Sequence, residues 1–155
     1  MQLKKVISGA QTGVDRAALD AALEAGVPCG GFVPKGRLAE DGRVPDGYPV
    51  QECGSSDYAL RTEMNVLQSG ATLILYEGKL DGGTLLTLNL CIKHRKPFAG
   101  VALDRRTPDE AVSQCLEFIR EACPAALNIA GPRESGRPGI HGRALDVLRR
   151  VIASL

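Results

Sequence analysis

What this sequence lacks narrows it first. It has no excess of charge: 19 Lys and Arg stand against 18 Asp and Glu, a formal net charge of +1. No global field therefore draws it to nucleic acid or to a membrane surface. It has no apolar run approaching the length of a bilayer span. Met1-Gln2-Leu3-Lys4-Lys5 leads straight into a predicted strand, with no room for a secretory h-region. The expectation is a cytoplasmic protein. Metal-ligand spacing is missing too. Cys29, Cys53, Cys91, Cys115 and Cys123 are an odd number without a C-x-x-C pair, and neither His94 nor His141 is spaced with a cysteine as a zinc ligand would be. The cysteines read as small buried hydrophobes in a reducing compartment, and no metal site is expected. No repeat, low-complexity tract or second domain is visible.

What is present is an ordinary globular composition, 44% hydrophobic and 24% charged over 155 residues, enough for one domain with a sizeable core. Strand-like and helix-like segments alternate throughout. Lys4–Ala10 reads as strand and Val14–Ala25 as helix, closed by Gly26. Pro28–Pro34 is a glycine-broken strand, 35–49 is irregular, and 50–53 suits a short strand. A helix spans Asp57 to Ser69, with Ser56 as its N-cap. Ala71–Glu77 is a buried strand and Thr84–His94 a nearly all-apolar helix, followed by strand Pro97–Leu103. Pro108–Ala122 is an amphipathic helix with proline at its first position. Ala126–Ala130 is the last strand, and from Ile140 a helix carries Ala144, Leu148, Val151 and Leu155 on one face. Such alternation implies right-handed crossovers and a mainly parallel sheet, a single-domain three-layer Rossmann-like α/β fold over residues 1–155. Strand order is open.

In a parallel sheet the strand C-terminal ends share one edge, and ligands bind there. Three glycine-bearing turns should meet at it: "SGAQTG" (Ser8–Gly13), "EGKLDGGT" (Glu77–Thr84) and "AGPRESGRPG" (Ala130–Gly139). Each precedes a helix whose first N–H groups lack partners and favour an anion. The first is neither a G-x-G-x-x-G fingerprint nor a Walker A loop. A capping box from Thr12 and Asp15 explains it equally well. In the second, Gly82-Gly83-Thr84 offers backbone donors and a hydroxyl, the better anion candidate. In the third, Arg133 and Arg137 add charge shaped for phosphate or carboxylate, with Arg143 just beyond.

Two other segments bear on binding. In "SSDYALRTEMNVLQSG", Tyr58, Arg61 or Thr62, and Asn65 share one helix face while Leu60, Met64 and Leu67 line another. On sequence alone the polar face reads as solvent-facing. "PKGRLAEDGRVPDGYP" has the length of a lid, with Lys35, Arg37 and Arg43 able to close over an anion and Glu40, Asp41 and Asp46 nearly cancelling them.

Taken together, "ISGAQTGVDRAALDAALEAGVPCGGFVPKGRLAEDGRVP", "RTEMNV", "ATLILYEG", "GGTLLT" and "LNIAGPRESGRPGI" resemble the bacterial molybdenum-carrier family of the wider YpsA/SLOG superfamily. The resemblance covers almost the whole chain and is weakest at 103–124. It implies a Rossmann-like fold with an edge site for nucleotide-like or phosphate-bearing ligands. The positions it carries over are Gly9, Gln11, Thr12, Gly13, Asp15 and Arg16; Arg61, Glu63 and Asn65; Gly82, Gly83 and Thr84; and Gly131, Pro132 and Arg133. The carrier name implies molybdenum cofactor, a phosphorylated pterin dithiolate, which a protein can hold by phosphate and ring without bonding the metal. The superfamily's LOG enzymes release a base from nucleoside 5′-monophosphates through P-G-G-x-G-T-x-x-E. "DGGTLLTLN" departs from it, with Thr87 where alignment on Gly83-Thr84 puts the catalytic Glu.

The leading reading is a non-catalytic binder or carrier of a phosphorylated small molecule, either molybdenum cofactor or a nucleotide. The alternative is a LOG-like N-glycosidic hydrolase or other nucleotide-processing enzyme, with Glu63 or Asp15 as acid/base and Arg61 or Arg133 as anion clamp. Self-association into a dimer or tetramer is expected from the resemblance, and Val147, Val151 and Leu155 offer apolar surface for it or for the core.

Overall fold

In the computed structural model, which describes residues 3–155, the alternation read from the sequence becomes a five-stranded parallel sheet covered on both faces. Met1 and Gln2, counted above into the approach to the first strand, lie outside the described residues. The elements in chain order are β1 (Lys5–Ile7), α1 (Val14–Glu24), β2 (Cys29–Gly30), β3 (Phe32–Val33), β4 (Leu38–Ala39), β5 (Gly42–Arg43), β6 (Gln51–Glu52), α2 (Tyr58–Gln68), β7 (Ala71–Tyr76), α3 (Gly82–Lys93), β8 (Phe98–Ala102), α4 (Pro108–Ala122), β9 (Ala126–Ala130) and α5 (Ile140–Ala153). The main sheet runs β2-β1-β9-β7-β8 with every pairing parallel. The last strand, β9, is thus the central one, inserted between β1 and β7. That order seats β1, β9 and β7 side by side.

Period-two alternation divides the sheet. Leu73 and Leu75 of β7 and Leu127 and Ile129 of β9 join one large cluster with the apolar faces of α1, α4 and α5. Their alternates, including Thr72 and Asn128, face α2 and α3, where the cluster is only Val66, Leu90 and Cys91. α4 matches its sequence expectation residue for residue: Thr107 caps Glu110 N at 3.2 Å and Pro108 opens the helix.

Several expectations are corrected. β1 ends at Ile7, because Ser8 turns its hydroxyl to Asp15 O (2.8 Å) and Ala10 has φ +57. Segment 28–34 divides into β2 and β3 at Gly31, where a Cβ would overlap the Ser8 carbonyl. β3 pairs with β6, and the stretch 35–49 contains the β4–β5 hairpin. The N-cap of α2 is Asp57, not Ser56, its carboxylate accepting from Ala59 N at 2.9 Å. α3 begins two residues before Thr84, so Gly82 and Gly83 form its first turn. α2 is turned opposite to the sequence reading: Arg61 and Asn65 are buried while Leu60 and Leu67 are exposed. On α5, Val147 and Val151 pack into the core and only Leu155 is exposed, past the helix end.

Candidate functional site

The turns after β1, β7 and β9 follow neighbouring strands, so they line one edge of the sheet. With the first turns of α2 and α3 they enclose a cleft of about 830 Å³. Gly9 and Gln11 come from the first turn, Asp81 to Thr84 from the second, and Gly131 to Arg133, Gly136 and Arg137 from the third. Asp15, Tyr58, Arg61 and Asn65 add to the walls, with Glu40, Thr87 and Asn128 also among the lining residues.

The backbone donors of the three turns are not equally free. In the first, Gln11 N donates to Asp15 Oδ2 (3.3 Å) and Thr12 N to Gln11 Oε1 (3.0 Å). In the third, Glu134 takes the start of α5, accepting from Gly139 N at 2.5 Å and His141 N at 3.0 Å, and these bonds hold its pKa low. Glu40, from the β4–β5 hairpin, accepts from Ser135 N (3.1 Å), Ser135 Oγ (2.6 Å) and Thr12 Oγ1. Burial pulls the Glu40 pKa up, but the bonds from Ser135 and Thr12 outweigh it and leave it lowered. Side chains of the protein, most of them carboxylates, thus occupy the donors that an external anion would use in those two turns. In the second turn Gly78 N donates to Asp104 Oδ2 (2.8 Å), but the helix end of the turn differs. The first backbone bond of α3 is Leu85 N to Asp81 O (3.0 Å), and the Asp81 side chain caps none of the preceding N–H groups. Gly82 and Gly83 leave open space where a side chain would begin.

The glycines divide in the same way. Gly13 (φ +80) and Gly131 are required for packing, since a Cβ on either would overlap the Pro132 and Leu75 carbonyl oxygens respectively. The capping box from Thr12 and Asp15 does not form. Gly13 is the N-cap of α1, and Thr12 Oγ1 instead accepts from Glu134 N at 3.1 Å. Gly9 marks where charges converge: a Cβ there would sit 2.8 Å from Arg61 Nη1 and 3.0 Å from Asp15 Oδ2.

Arg61 is 7% exposed, donates to Gly9 O (2.5 Å) and Thr62 Oγ1 (3.2 Å), and lies 5.2 Å over the Tyr58 ring. Beside it, burial pushes the Asp15 carboxyl up to about 6; the Arg61 guanidinium and bonds from the Gln11 and Gly131 backbones only partly offset that burial. Such a carboxyl holds or releases a proton near neutrality. Arg137 rests its guanidinium against Gly78, joining the second and third turns, and Arg133 Nε lies 3.5 Å from Glu40.

The remaining candidates lie elsewhere. Thr12 and Gly13 brace the loops and are outside the lining. Arg16 is committed to Asp41 in a bidentate pair at 2.9 Å and to Ala10 O (2.8 Å), pinning the hairpin to α1. Glu63 sits on the α2–α3 seam, 3.0 Å from His94 Nε2 and 3.3 Å from Lys93 Nζ. Arg143 pairs bidentately with Glu77 at 2.6 and 2.7 Å. The lid's cations do not reach the cleft: Arg37 donates to the carbonyls of Val44, Pro45, Tyr48 and Val50, and Arg43 pairs with Asp46. Lys35 is exposed on the same loop, outside the lining. Sequence reasoning had Glu40 on the lid-length loop only as a charge cancelling its cations, and missed Leu86, Thr87 and Asn128 as lining residues. For Asn128 the signal was available, an amide inside the apolar strand "ALNIA". No cysteine or histidine lines the cleft, and among the described residues no cluster of His, Cys, Asp or Glu is arranged to hold a metal.

Comparison with known proteins agrees with this architecture. The family described as "Circularly permutated YpsA SLOG family" matches residues 6–152. A crystal structure of the "Putative molybdenum carrier protein" of Syntrophus aciditrophicus SB, at 1.45 Å resolution, is similar at 45% identity with a TM-score of 0.94. The match covers 97% of this chain and 95% of that one. No curated protein matches. No described helix is long and apolar enough to cross a membrane.

Proposed function

This chain belongs to the circularly permuted YpsA family of SLOG proteins, and we propose that its cleft binds a phosphorylated small molecule. One observation carries the reading. The first turn of α3 presents N–H groups without a side-chain cap, next to two glycines with open space, in a cleft that Arg61, Arg133 and Arg137 also line. A helix start with unpaired donors and flanking guanidinium groups stabilises a phosphate through the dipole and charge-assisted bonds. Nucleotides and the phosphorylated pterin of molybdenum cofactor share that handle and fit a cleft of this volume. The cofactor reading is supported by the name of the similar protein. In a lining without thiolate or imidazole, its molybdenum would be carried by the ligand's own sulfurs.

The test is thermal stability with inorganic phosphate, a panel of nucleotides, molybdate and molybdenum cofactor. A ligand that binds only the native state stabilises it by about 2.7 kcal/mol at a hundred times its Kd. We expect stabilisation by phosphorylated ligands, none by molybdate alone, and its loss in Gly83→Asp, which sets a carboxylate at the anion position. No shift with any phosphorylated compound would end the reading.

The Asp15 carboxyl favours a second reading, a nucleotide-processing enzyme that cleaves the N-glycosidic bond of a nucleoside monophosphate. Its pKa of about 6 in the same cleft suits proton transfer to a leaving base. Glu63, engaged on the α2–α3 seam, is the weaker acid/base candidate. Base release that disappears in Asp15→Asn and survives in Glu63→Gln would establish it. Absence of turnover across the panel would leave the binder.

A further inference from the structure

The cleft already holds an anion of the chain's own. Glu40 lines it from the tip of the β4–β5 hairpin, its carboxylate accepting from Ser135 N (3.1 Å), Ser135 Oγ (2.6 Å) and Thr12 Oγ1. Arg133 Nε stands 3.5 Å away. A backbone N–H, two hydroxyls and a guanidinium are the donors that a phosphoryl group takes. The hairpin holds the carboxylate firmly in place. Glu40 N donates to Gln11 Oε1 (2.9 Å), and the next residue, Asp41, pairs with Arg16. Ala39 and Val44, on either side of the tip, are buried with Ala10, Leu19 and Val33. With its pKa lowered despite burial, Glu40 stays ionised at neutral pH. The charges lining the cleft are accordingly balanced: Arg61, Arg133 and Arg137 stand against Asp15, Glu40 and Asp81.

We propose that Glu40 sets the class of ligand: a molecule with a single phosphoryl group, in preference to one with a diphosphate or triphosphate. The proposal rests on the phosphate reading of the same cleft. The start of α3 offers N–H groups without a side-chain cap, and open space beside Gly82 and Gly83, for one phosphoryl group. A monoester brings a charge of about −1.5 to −2, which a balanced cleft and a helix start can hold. Each further phosphoryl group adds negative charge and needs donors of its own. Those at Ser135 and Thr12 are taken, and the Glu40 charge stands where the added group would go. Loops that cradle triphosphates instead present a run of free backbone N–H groups and a lysine. Discrimination here comes from a repulsive group built into the site.

The test is calorimetric titration of the full chain in magnesium-free buffer. The probes are inorganic phosphate, pyrophosphate and tripolyphosphate, and the mono-, di- and triphosphates of adenosine and guanosine. In wild type, affinity should fall at least about tenfold from a monophosphate to its triphosphate, and likewise along the inorganic series. Glu40→Gln keeps an acceptor for Ser135 N but removes the charge, and should erase most of that ratio. Asp41→Asn weakens the pairing of the same hairpin to Arg16 and leaves the Glu40 charge in place, so it should keep the wild-type ratio. Wild-type protein that binds triphosphates as tightly as monophosphates would overturn the proposal. So would an unchanged ratio in Glu40→Gln, or an equal change in Asp41→Asn, which would assign the effect to the fit of the hairpin. If no phosphorylated probe binds either wild type or Glu40→Gln, the phosphate reading itself fails and takes the proposal with it.

Discussion

Against one face of the sheet, α1, α4 and α5 bury a cluster of 22 hydrophobic residues, whereas α2 and α3 bury three against the other. What fills the second face instead is polar: Arg61, Asn65, Thr72, Thr84, Thr87 and Asn128 are all buried there. The first face supplies the hydrophobic stabilisation, and the second gives up burial to hold side chains whose donors and acceptors can meet a ligand. The helices of the second face consequently show their leucines outward. A rigid scaffold on one side permits an under-packed, polar wall on the other.

Truncation should expose this contrast most strongly. Leu148→Ala, in the large cluster, should cost about 4 kcal/mol, because close-packed neighbours cannot collapse into the space. Leu90→Ala, in the three-residue cluster, should cost about 2 kcal/mol, since fewer buried neighbours surround it. Urea melts of both variants decide it. Equal losses would mean that the second face is as tightly packed as the first.

The glycines sharpen the same contrast within the site. Gly131→Ala should destabilise by about 3 kcal/mol, since its Cβ has only the Leu75 carbonyl and Val14 to meet. Gly83→Asp should leave the ligand-free protein unchanged or up to about 1 kcal/mol more stable, because it replaces glycine in a helix and puts a carboxylate at its positive end. The two changes therefore separate a glycine needed for folding from one whose removal should be felt only by a bound anion. Paired denaturation curves for the ligand-free variants read both effects.

How much of this could be read from the sequence follows the same division. α4 and β9 occupy their expected residues because amphipathic period, capping threonine and flanking proline all agree there. The gathering of three turns on one edge followed from the parallel sheet. The orientation of α2 did not, because periodicity shows that two faces differ without showing which is inside. Arg61 and Asn65 looked solvated until the fold gave them a Gly9 carbonyl and the Phe32 backbone to bond. Strand order was equally hidden, as was the self-filling of two turns by Asp15, Glu40 and Glu134. The Glu40 contacts reach as far as Ser135, and no local pattern reports them.

Titration of Asp15 gives the next effect. Its carboxyl has a folded pKa of about 6 against an ordinary value of 3.8, so the native state binds the proton more tightly than the unfolded chain. Stability from this group is full below about pH 4 and is lost as pH rises through about 6, by roughly 2–3 kcal/mol. Carboxylates with lowered values, such as Glu40 and Glu134, act in the opposite direction, losing stability as pH falls. The clean measurement is the difference between wild type and Asp15→Asn at pH 4 and pH 7.5. The variant should lack the loss that wild type suffers across that window. Parallel curves would place Asp15 in a more solvated setting than its burial implies.

The smallest expected effect is at Glu63, on the seam of the under-packed face. Bonds from His94 and Lys93 hold its carboxylate below the ordinary range, yet Lys93 is solvent-exposed and the pair is open to screening. Glu24 and Arg149 form a comparable exposed pair across α1 and α5, where the large core already fixes both helices. Glu63→Gln should therefore lower stability slightly more than Glu24→Gln, in low salt only, with both losses fading in high salt. The reasoning is that an ion pair matters most where little else joins its two helices. Chemical melts at two ionic strengths measure the difference. A larger loss at Glu24 would show that the packed face depends on its surface charges more than its core suggests, reversing the contrast between the two faces at its weakest point.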